Sequence, residues 1–241
     1  MIYVISLSSA TDRRRSINQQ FDIADTDFEF FDAIDGRENP HPLFEKYNQK
    51  KRLRYKGCEL TKGELGCFAS HYLLWEKCIQ LNKPIVVIED DAQLEPEFKN
   101  KIKTILRIKD YEYLRLFVNG RYRPFTKIEH THGYDIVQYK RGPGATRAYM
   151  ISPNAAQKFI DAAQEWYLPV DDYMDQFWMN KVACKGIMPG VVKNETEFDS
   201  CIGQLNKKDK INRVTRELYS LQCTIQRYLY LLLNSSQCNK K

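Results

Sequence analysis

The stretch PIVVIEDDAQLEP, residues 84–96, decides how this chain is to be read. Ile85 to Ile88 form a run of β-branched apolar residues, the mark of a strand buried on both faces, and the run ends in Glu89, Asp90 and Asp91. Three adjacent carboxylates repel one another and stay ionised only where water, helix-terminus N–H groups or a cation offsets their charge. An extended chain turns alternate side chains to opposite sides, which puts Glu89 and Asp91 together and Asp90 across from them. Carboxylate oxygens are hard ligands suited to Mg²⁺ or Mn²⁺, and the acid-x-acid pair presents two of them to one cation. Two readings stand at this point: a metal-phosphate site, or an Asp91 that caps the Gln93–Pro96 region beside solvated neighbours.

Upstream, MIYVISL (1–7) reads as a buried strand and Ser8 to Gln20 as a helix capped by Ser9 or Thr11. FEFFDAIDG (28–36) is a second strand, ending in Asp32, Asp35 and Gly36, so the chain opens as an α/β sheet does. Residues 37–62, polar and basic with Pro40 and Pro42, read as an irregular excursion. From Lys62 to Leu81 the apolar positions 65, 68, 72, 75 and 79 recur at helical spacing, and Gly63 and Gly66 in the first turns allow close approach of a ligand or another backbone.

Downstream, a helix is expected from about Pro96 to Ile108, then strands at YLRLFV (113–118) and DIVQYK (135–140). The glycine-bearing RGPGATRAYMIS (141–152) enters a strand that closes at Ser152-Pro153, and a helix NAAQKFIDAAQ (154–164), the acidic PVDDYMDQFWM (169–179) and a strand near IMPGVV (187–192) follow. Ligands of open α/β sheets lie outside the carboxyl ends of the strands, so Asp32–Gly36 and Glu89–Asp91 are candidates for one shared crevice.

The length of 241 residues suits one domain with a short appendage. Residues 207–241 hold eight Lys/Arg against Asp209 and Glu217, which is the whole excess of +6, so residues 1–206 are neutral and form the expected globular domain. A neutral body gives no reason to expect nucleic acid as a partner. Seven cysteines without a CxxC pair signal neither a disulfide framework nor a zinc ribbon. Ile2–Leu7 is too short for a signal peptide and no apolar run approaches a membrane span, so a cytoplasmic protein is expected. In the tail, Val214, Leu218, Leu221, Ile225, Leu229 and Leu232 recur at three- and four-residue steps, with Lys207, Lys208, Lys210, Arg213, Arg216 and Arg227 before or beside them. Such a basic amphipathic helix suits the anionic inner face of the cytoplasmic membrane, or packs on the body or on a second subunit; the oligomeric state is open.

VISL (4–7) with Arg13, then FFDAIDG, LTKGELGCFASHYLLWEKC (60–78) and VVIEDDAQLEPEF (86–98) resemble, in order and spacing, the family 25 glycosyltransferases that build bacterial lipooligosaccharide; AYMIS and PVDDYMD continue the likeness, to about residue 200. The resemblance implies a GT-A-like, Rossmann-like nucleotide-sugar fold with a mixed central sheet, a UDP-hexose donor, often UDP-galactose, and a divalent cation at the acidic motif. It places uridine and ribose contacts at Ser6, Leu7, Asp32 and Ala33. Asp91 is the expected direct metal ligand with Glu89 beside it, while Asp90 meets the ribose or acts through water. Arg13 either contacts phosphate or is a solvated helix charge. Glu64 and His71, seven apart on the glycine-bearing helix, share a face, and the family motif gives them a site role beside the alternative of a hydrogen-bonded core histidine. Asp171, Asp172 and Asp175 sit within one helical turn, where one serves as base or acceptor ligand unless the helix dipole alone explains them; Glu64 is next in line.

Arg147 stands where the family more usually has small or polar residues. With Arg121, Arg123, Lys140 and Arg141 it either meets a phosphorylated acceptor or belongs to a solvated rim. The leading expectation is a metal-dependent, inverting hexosyltransferase acting on a lipid-linked or oligosaccharide acceptor. A metal-dependent phosphohydrolase or nucleotidyltransferase using the same acids is the enzymatic alternative, although no GxxxxGK[ST] loop is present. A non-catalytic membrane-surface module is the other.

Overall fold

A computed structural model describes residues 1–38, 40–108, 110–118, 123–194 and 213–235. In chain order these form β1 (Ile2–Ser6), α1 (Thr11–Ile23), β2 (Glu29–Asp32), a 3₁₀ turn (Pro42–Lys46), α2 (Gln49–Lys56), α3 (Lys62–Leu81), β3 (Ile85–Glu89), β4 (Ala92–Leu94), α4 (Phe98–Ile105) and β5 (Tyr113–Arg115). There follow β6 (Phe125–Thr131), β7 (Tyr134–Tyr139), β8 (Ala148–Ile151), α5 (Pro153–Ala162), α6 (Val170–Met174), α7 (Phe177–Asn180), β9 (Lys185–Met188), β10 (Val192–Asn194) and α8 (Arg213–Ser235).

The fold is α/β, built on a mixed eight-stranded sheet in the order β2-β1-β3-β8-β5-β9-β7-β6. Strands β2, β1 and β3 run parallel, with Ile5 opposite Phe31 and Glu89, so their carboxyl ends lie side by side. Strand β8 is antiparallel to β3, with Ala148 opposite Ile88, which delivers the loop before β8 to the same edge. Alternation along the strands divides the core. Tyr3, Ile5, Ile85, Val87, Tyr149 and Ile151 face Phe68, Trp75 and Phe159 of α3 and α5. Ile2, Val4, Val86, Ile88 and Met150 face Ile17, Phe21, Ile102 and Ile105 of α1 and α4. Central strands buried on both faces read as continuous apolar runs for this reason.

Several local features differ from the sequence expectation. Residues 37–62 hold α2, whose QKKRLRYK has no apolar period; its ends are set instead by the Asn48 side chain, which accepts from Lys51 N–H at 2.8 Å, and by Gly57 at φ 83°. Helix α1 begins after Ala10 with no side-chain cap, because Thr11 already lies inside it. Strand β4 interrupts the span between β3 and α4 and pairs with β10, while β6 makes a hairpin with β7 through the His132–Gly133 turn, both residues at positive φ. The expected boundary at 206/207, Arg121, Lys207, Lys208 and Lys210 lie outside the described residues.

The stripe expected to pack or bind along α8 faces outward: Leu218, Leu221, Ile225 and Leu229 are 50–60% exposed. A different face docks. The Tyr219 ring stacks on Tyr55 of α2 at 4.3 Å, and Tyr230 meets Phe177 of α7 at 5.3 Å. No helix among the described residues is long and apolar enough to cross a membrane.

Candidate active site

The site is assembled from backbone outward. Thr61 and Glu64 form a capping box at the start of α3: the Thr61 hydroxyl accepts from Glu64 N–H at 3.0 Å and the Glu64 carboxylate from Thr61 N–H at 2.7 Å. One turn later Gly66 lies against the loop after β2, where a Cβ would stand 2.3 Å from Ile34 O; Ser70 donates to Gly66 O and accepts from Ile34 N–H at 2.9 Å. The helix start is thereby pressed onto the ends of the parallel strands. Between them opens a crevice lined by Ser6, Leu7, Arg13, Ala33, Asp35, Cys67, Ser70, Glu89, Asp90 and Asp91.

The three adjacent acids Glu89, Asp90 and Asp91 divide between two neighbourhoods. Asp90 accepts from the Ser6 hydroxyl at 2.6 Å and from the Arg13 guanidinium at 3.1 Å. Glu89 accepts from the Thr146 hydroxyl and lies 3.4 Å from His71 Nε2. Asp91 pairs with Arg147 at 3.1 Å through one oxygen, while its other oxygen, Oδ1, is buried with no hydrogen bond. Burial and the Glu89 charge push Asp91 up to about 6, against the pull of Arg147. Burial works the same way on Glu89, but His71 and Thr146 more than offset it and hold that carboxyl below its ordinary value.

The acids of α6 separate as well. Asp172 is exposed, 3.6 Å from Lys56. Asp175 accepts from Gly144 N–H at 2.6 Å and pairs with the buried Arg115 at 2.8 Å. Asp171 is half-buried, accepts from the N–H groups of Asp172 and Ala145, and has its pKa raised by burial and by Asp172. The Cys67 thiol, which lines the crevice with Glu89 and Asp91, is pushed well up by burial and further by the charges of Glu89, Asp171, Asp91 and Glu64.

Of the residues expected from sequence, the crevice takes in Ser6, Leu7, Arg13, Ala33, Glu89, Asp90 and Asp91. Asp32 sits outside its lining, exposed and paired with Arg14, and His71 is fully buried behind Glu89 with Nδ1 2.8 Å from the Tyr149 hydroxyl.

The family model described as glycosyltransferase family 25 (LPS biosynthesis protein) matches residues 1–174, the part that builds this crevice. The chain belongs to glycosyltransferase family 25. Among its family relatives, a protein of Aedes aegypti named glycosyltransferase 25 family member is 32% identical over 190 residues, 74% of this chain and 31% of that protein. The lipooligosaccharide biosynthesis protein lic2B of Haemophilus influenzae is 34% identical over 139 residues, 52% of this chain and 51% of that one. Procollagen galactosyltransferase 1-B of Xenopus laevis is 29% identical over 188 residues, 72% of this chain and 30% of that protein. The match thus spans about a third of the animal family members and half of the bacterial one.

Sequence reasoning passed over Cys67, Thr146 and Arg115 as site residues. Cys67 stands four residues before His71, on the same helical face, and that spacing was the available signal. For Thr146 and Arg115 the signal is tertiary: the first reaches Glu89 only because β8 runs antiparallel to β3, and the second reads as one charge inside an apolar strand.

Proposed function

We propose that the chain is a GT-A-like glycosyltransferase that moves a hexose, with galactose first in line, from a UDP-sugar to lipooligosaccharide or another surface-glycan acceptor, with inversion. The observation that carries this reading is the convergence of three parallel strand ends on one crevice edged by carboxylates, the arrangement that binds nucleotides in open α/β sheets. Galactose is favoured by the name of the Xenopus relative and the glycan acceptor by that of the Haemophilus one.

The buried, unpartnered Asp91 Oδ1 fits a hard divalent cation, Mn²⁺ or Mg²⁺, which Asp91 and Glu89 would hold. Such an ion neutralises charge on a departing diphosphate. The protein's own groups supply the rest of the reading. Ser6, Leu7 and Ala33, with Asp32 at the rim, receive uridine and ribose. Arg13, held by Asp90, meets phosphate. Asp171 takes the proton of the acceptor hydroxyl: its raised pKa brings it closer to the operating pH, where a general base is most effective. Asp175, engaged by Arg115 and Gly144, holds the loop that carries Thr146 and Arg147. Glu64 is engaged at the helix cap and is the alternative base.

The test is to incubate the purified chain with a panel of UDP-sugars and Mn²⁺ and to measure donor-dependent UDP release. Release from a UDP-hexose supports the reading. Release of inorganic phosphate or nucleotide transfer instead would point to the phosphohydrolase or nucleotidyltransferase chemistry of the same acids, and neither would leave a binding module.

A second reading concerns place. The outward apolar residues of α8 favour contact of this helix with an anionic membrane, on its cytoplasmic face, where a lipid-linked acceptor is met. Vesicle co-sedimentation with anionic and neutral lipid tests it: binding that prefers anionic vesicles and weakens with salt supports it, and equal recovery from both, or none, refutes it.

A further inference from the structure

We propose that Cys67, His71 and Glu89 form a binding site for a thiophilic divalent cation, Zn²⁺, at the floor of the crevice, sharing Glu89 with the hard-cation position at Asp91 and differing from it in its sulfur and nitrogen ligands. The proposal rests on these three side chains and does not require the transferase reading.

Cys67 and His71, four apart, face the end of β3 from one side of α3, and one ligand atom from each of Cys67, His71 and Glu89 lies within 4.8 Å of the others. Zinc takes thiolate, imidazole and carboxylate at about 2.0–2.3 Å, so atoms already gathered at this spacing need only small side-chain rotations to close on one ion.

His71 supplies the independent observation. It is 0% exposed, and its Nε2 points toward Glu89, 3.4 Å from Oε1, yet makes no hydrogen bond. Buried ring nitrogens seldom go without one. Its other nitrogen is engaged by the Tyr149 hydroxyl at 2.8 Å, which also takes the Trp75 indole N–H at 3.2 Å. A polar partner on the second nitrogen is how proteins orient a histidine ligand.

The local charge agrees. Cys67 shares the crevice lining with Glu89 and Asp91, and the charges of Glu89, Asp171, Asp91 and Glu64 make a field that opposes a lone thiolate and favours a dication beside one. A mixed S, N, O set selects zinc over magnesium or manganese, whose preferred ligands are all oxygen. Cys67 and Glu89 both line the crevice, so the fourth position of a tetrahedral ion opens to solvent or to a ligand's oxygen, as in zinc sites that keep an exchangeable place.

The experiment titrates the metal-free, full-length chain with Co²⁺ as a spectroscopic probe, then with Zn²⁺. A thiolate-to-cobalt charge-transfer band is expected, displaced by Zn²⁺ and untouched by excess Mg²⁺. Cys67→Ser should abolish the band and Cys184→Ser preserve it. Tyr149→Phe should weaken Zn²⁺ binding about tenfold, the lower end for loss of a ligand's hydrogen-bond partner. Should Cys67→Ser fail to fold, alkylation of Cys67 in the wild-type chain, followed by mass spectrometry, serves instead: Zn²⁺ protects it if the proposal holds. Absence of the band in the wild-type chain, its survival in Cys67→Ser, or alkylation of Cys67 indifferent to Zn²⁺ overturns the proposal. UDP release with Mn²⁺ is read separately, so either idea can fail alone.

Discussion

Replacing Arg115 by methionine keeps most of the side chain's length and removes its charge. Arg115 ends β5 in the middle of the sheet and is 2% exposed. Its guanidinium pairs with Asp175 at 2.8 Å and donates to Ala145 O, and the other Asp175 oxygen holds Gly144 N–H. The fit is close, since a Cβ on Gly142 would stand 2.0 Å from the Asp175 carboxyl carbon. Burial raises Asp175 to about 6 against the pull of Arg115. Without that pull the carboxyl rises further, and breaking such a buried pair from one side costs about 3–5 kcal/mol. The sign of the pH dependence follows. A folded pKa above the unfolded value of 3.8 means that the folded state holds the proton more tightly, so the penalty is absent in strong acid and grows as pH climbs through the folded pKa. Arg115→Met should therefore lie nearest to wild type at about pH 4 and furthest above neutrality, each unit of added shift being worth about 1.4 kcal/mol. Adding Asp175→Leu should recover most of the loss, because two apolar residues in place of a buried ion pair are close to neutral. Urea denaturation of wild type, both single variants and the double variant in acid and in mild alkali measures all of this. A loss below about 1 kcal/mol, or one equal at both pH values, would refute the view of Arg115–Asp175 as a buried, mutually dependent pair.

Asp171→Asn should retain UDP-sugar binding by calorimetry while transfer falls by on the order of 10²-fold or more; near wild-type transfer would move the base elsewhere. Asp91→Asn should lose cation-dependent UDP release without a fall in melting temperature, since burial and Glu89 already disfavour its charge. For the same reason UDP release at fixed Mn²⁺ should fall as pH drops through about 6, with excess Mn²⁺ moving the midpoint lower; a midpoint indifferent to Mn²⁺ removes Asp91 from the metal. Gly66→Ala drives a methyl to 2.3 Å from Ile34 O and 2.8 Å from Gly36 N, so thermal denaturation should show a loss of about 1–3 kcal/mol, from overpacking against backbone that cannot turn aside.

What the sequence displayed clearly was whatever a local period encodes. The apolar run 85–88 and the 3.6-residue rhythm of 62–81 predict β3 and α3 closely because burial on both faces, or on one helical stripe, leaves its mark residue by residue. The acids at 89–91 were visible for a related reason: three charges abruptly ending an apolar strand conflict with its burial. Helix α2 was hidden because its ends are set by Asn48 and Gly57 and no apolar stripe marks its length. Thr146, and the pairing of Arg147 with Asp91, were hidden because they depend on β8 lying antiparallel to β3, and no spacing within 141–152 encodes which strand becomes its neighbour. On α8 the period revealed the apolar stripe but not its direction. Tyr219 and Tyr230, which dock the helix, fall off that stripe and offer ring stacking where the stripe offers only area.

The hairpin that closes the far edge of the sheet offers an instrument for watching the crevice. Its His132–Gly133 turn is exposed, a side chain on Gly133 would meet nothing within 4 Å, and following the strand directions from β3 to β6 brings the turn out at the same end of the sheet as the acids. Five strand intervals at about 4.8 Å each set the turn roughly 24 Å sideways from β3. A fluorophore carried there would report the arrival of a labelled nucleotide by energy transfer, from an exposed point of the same sheet.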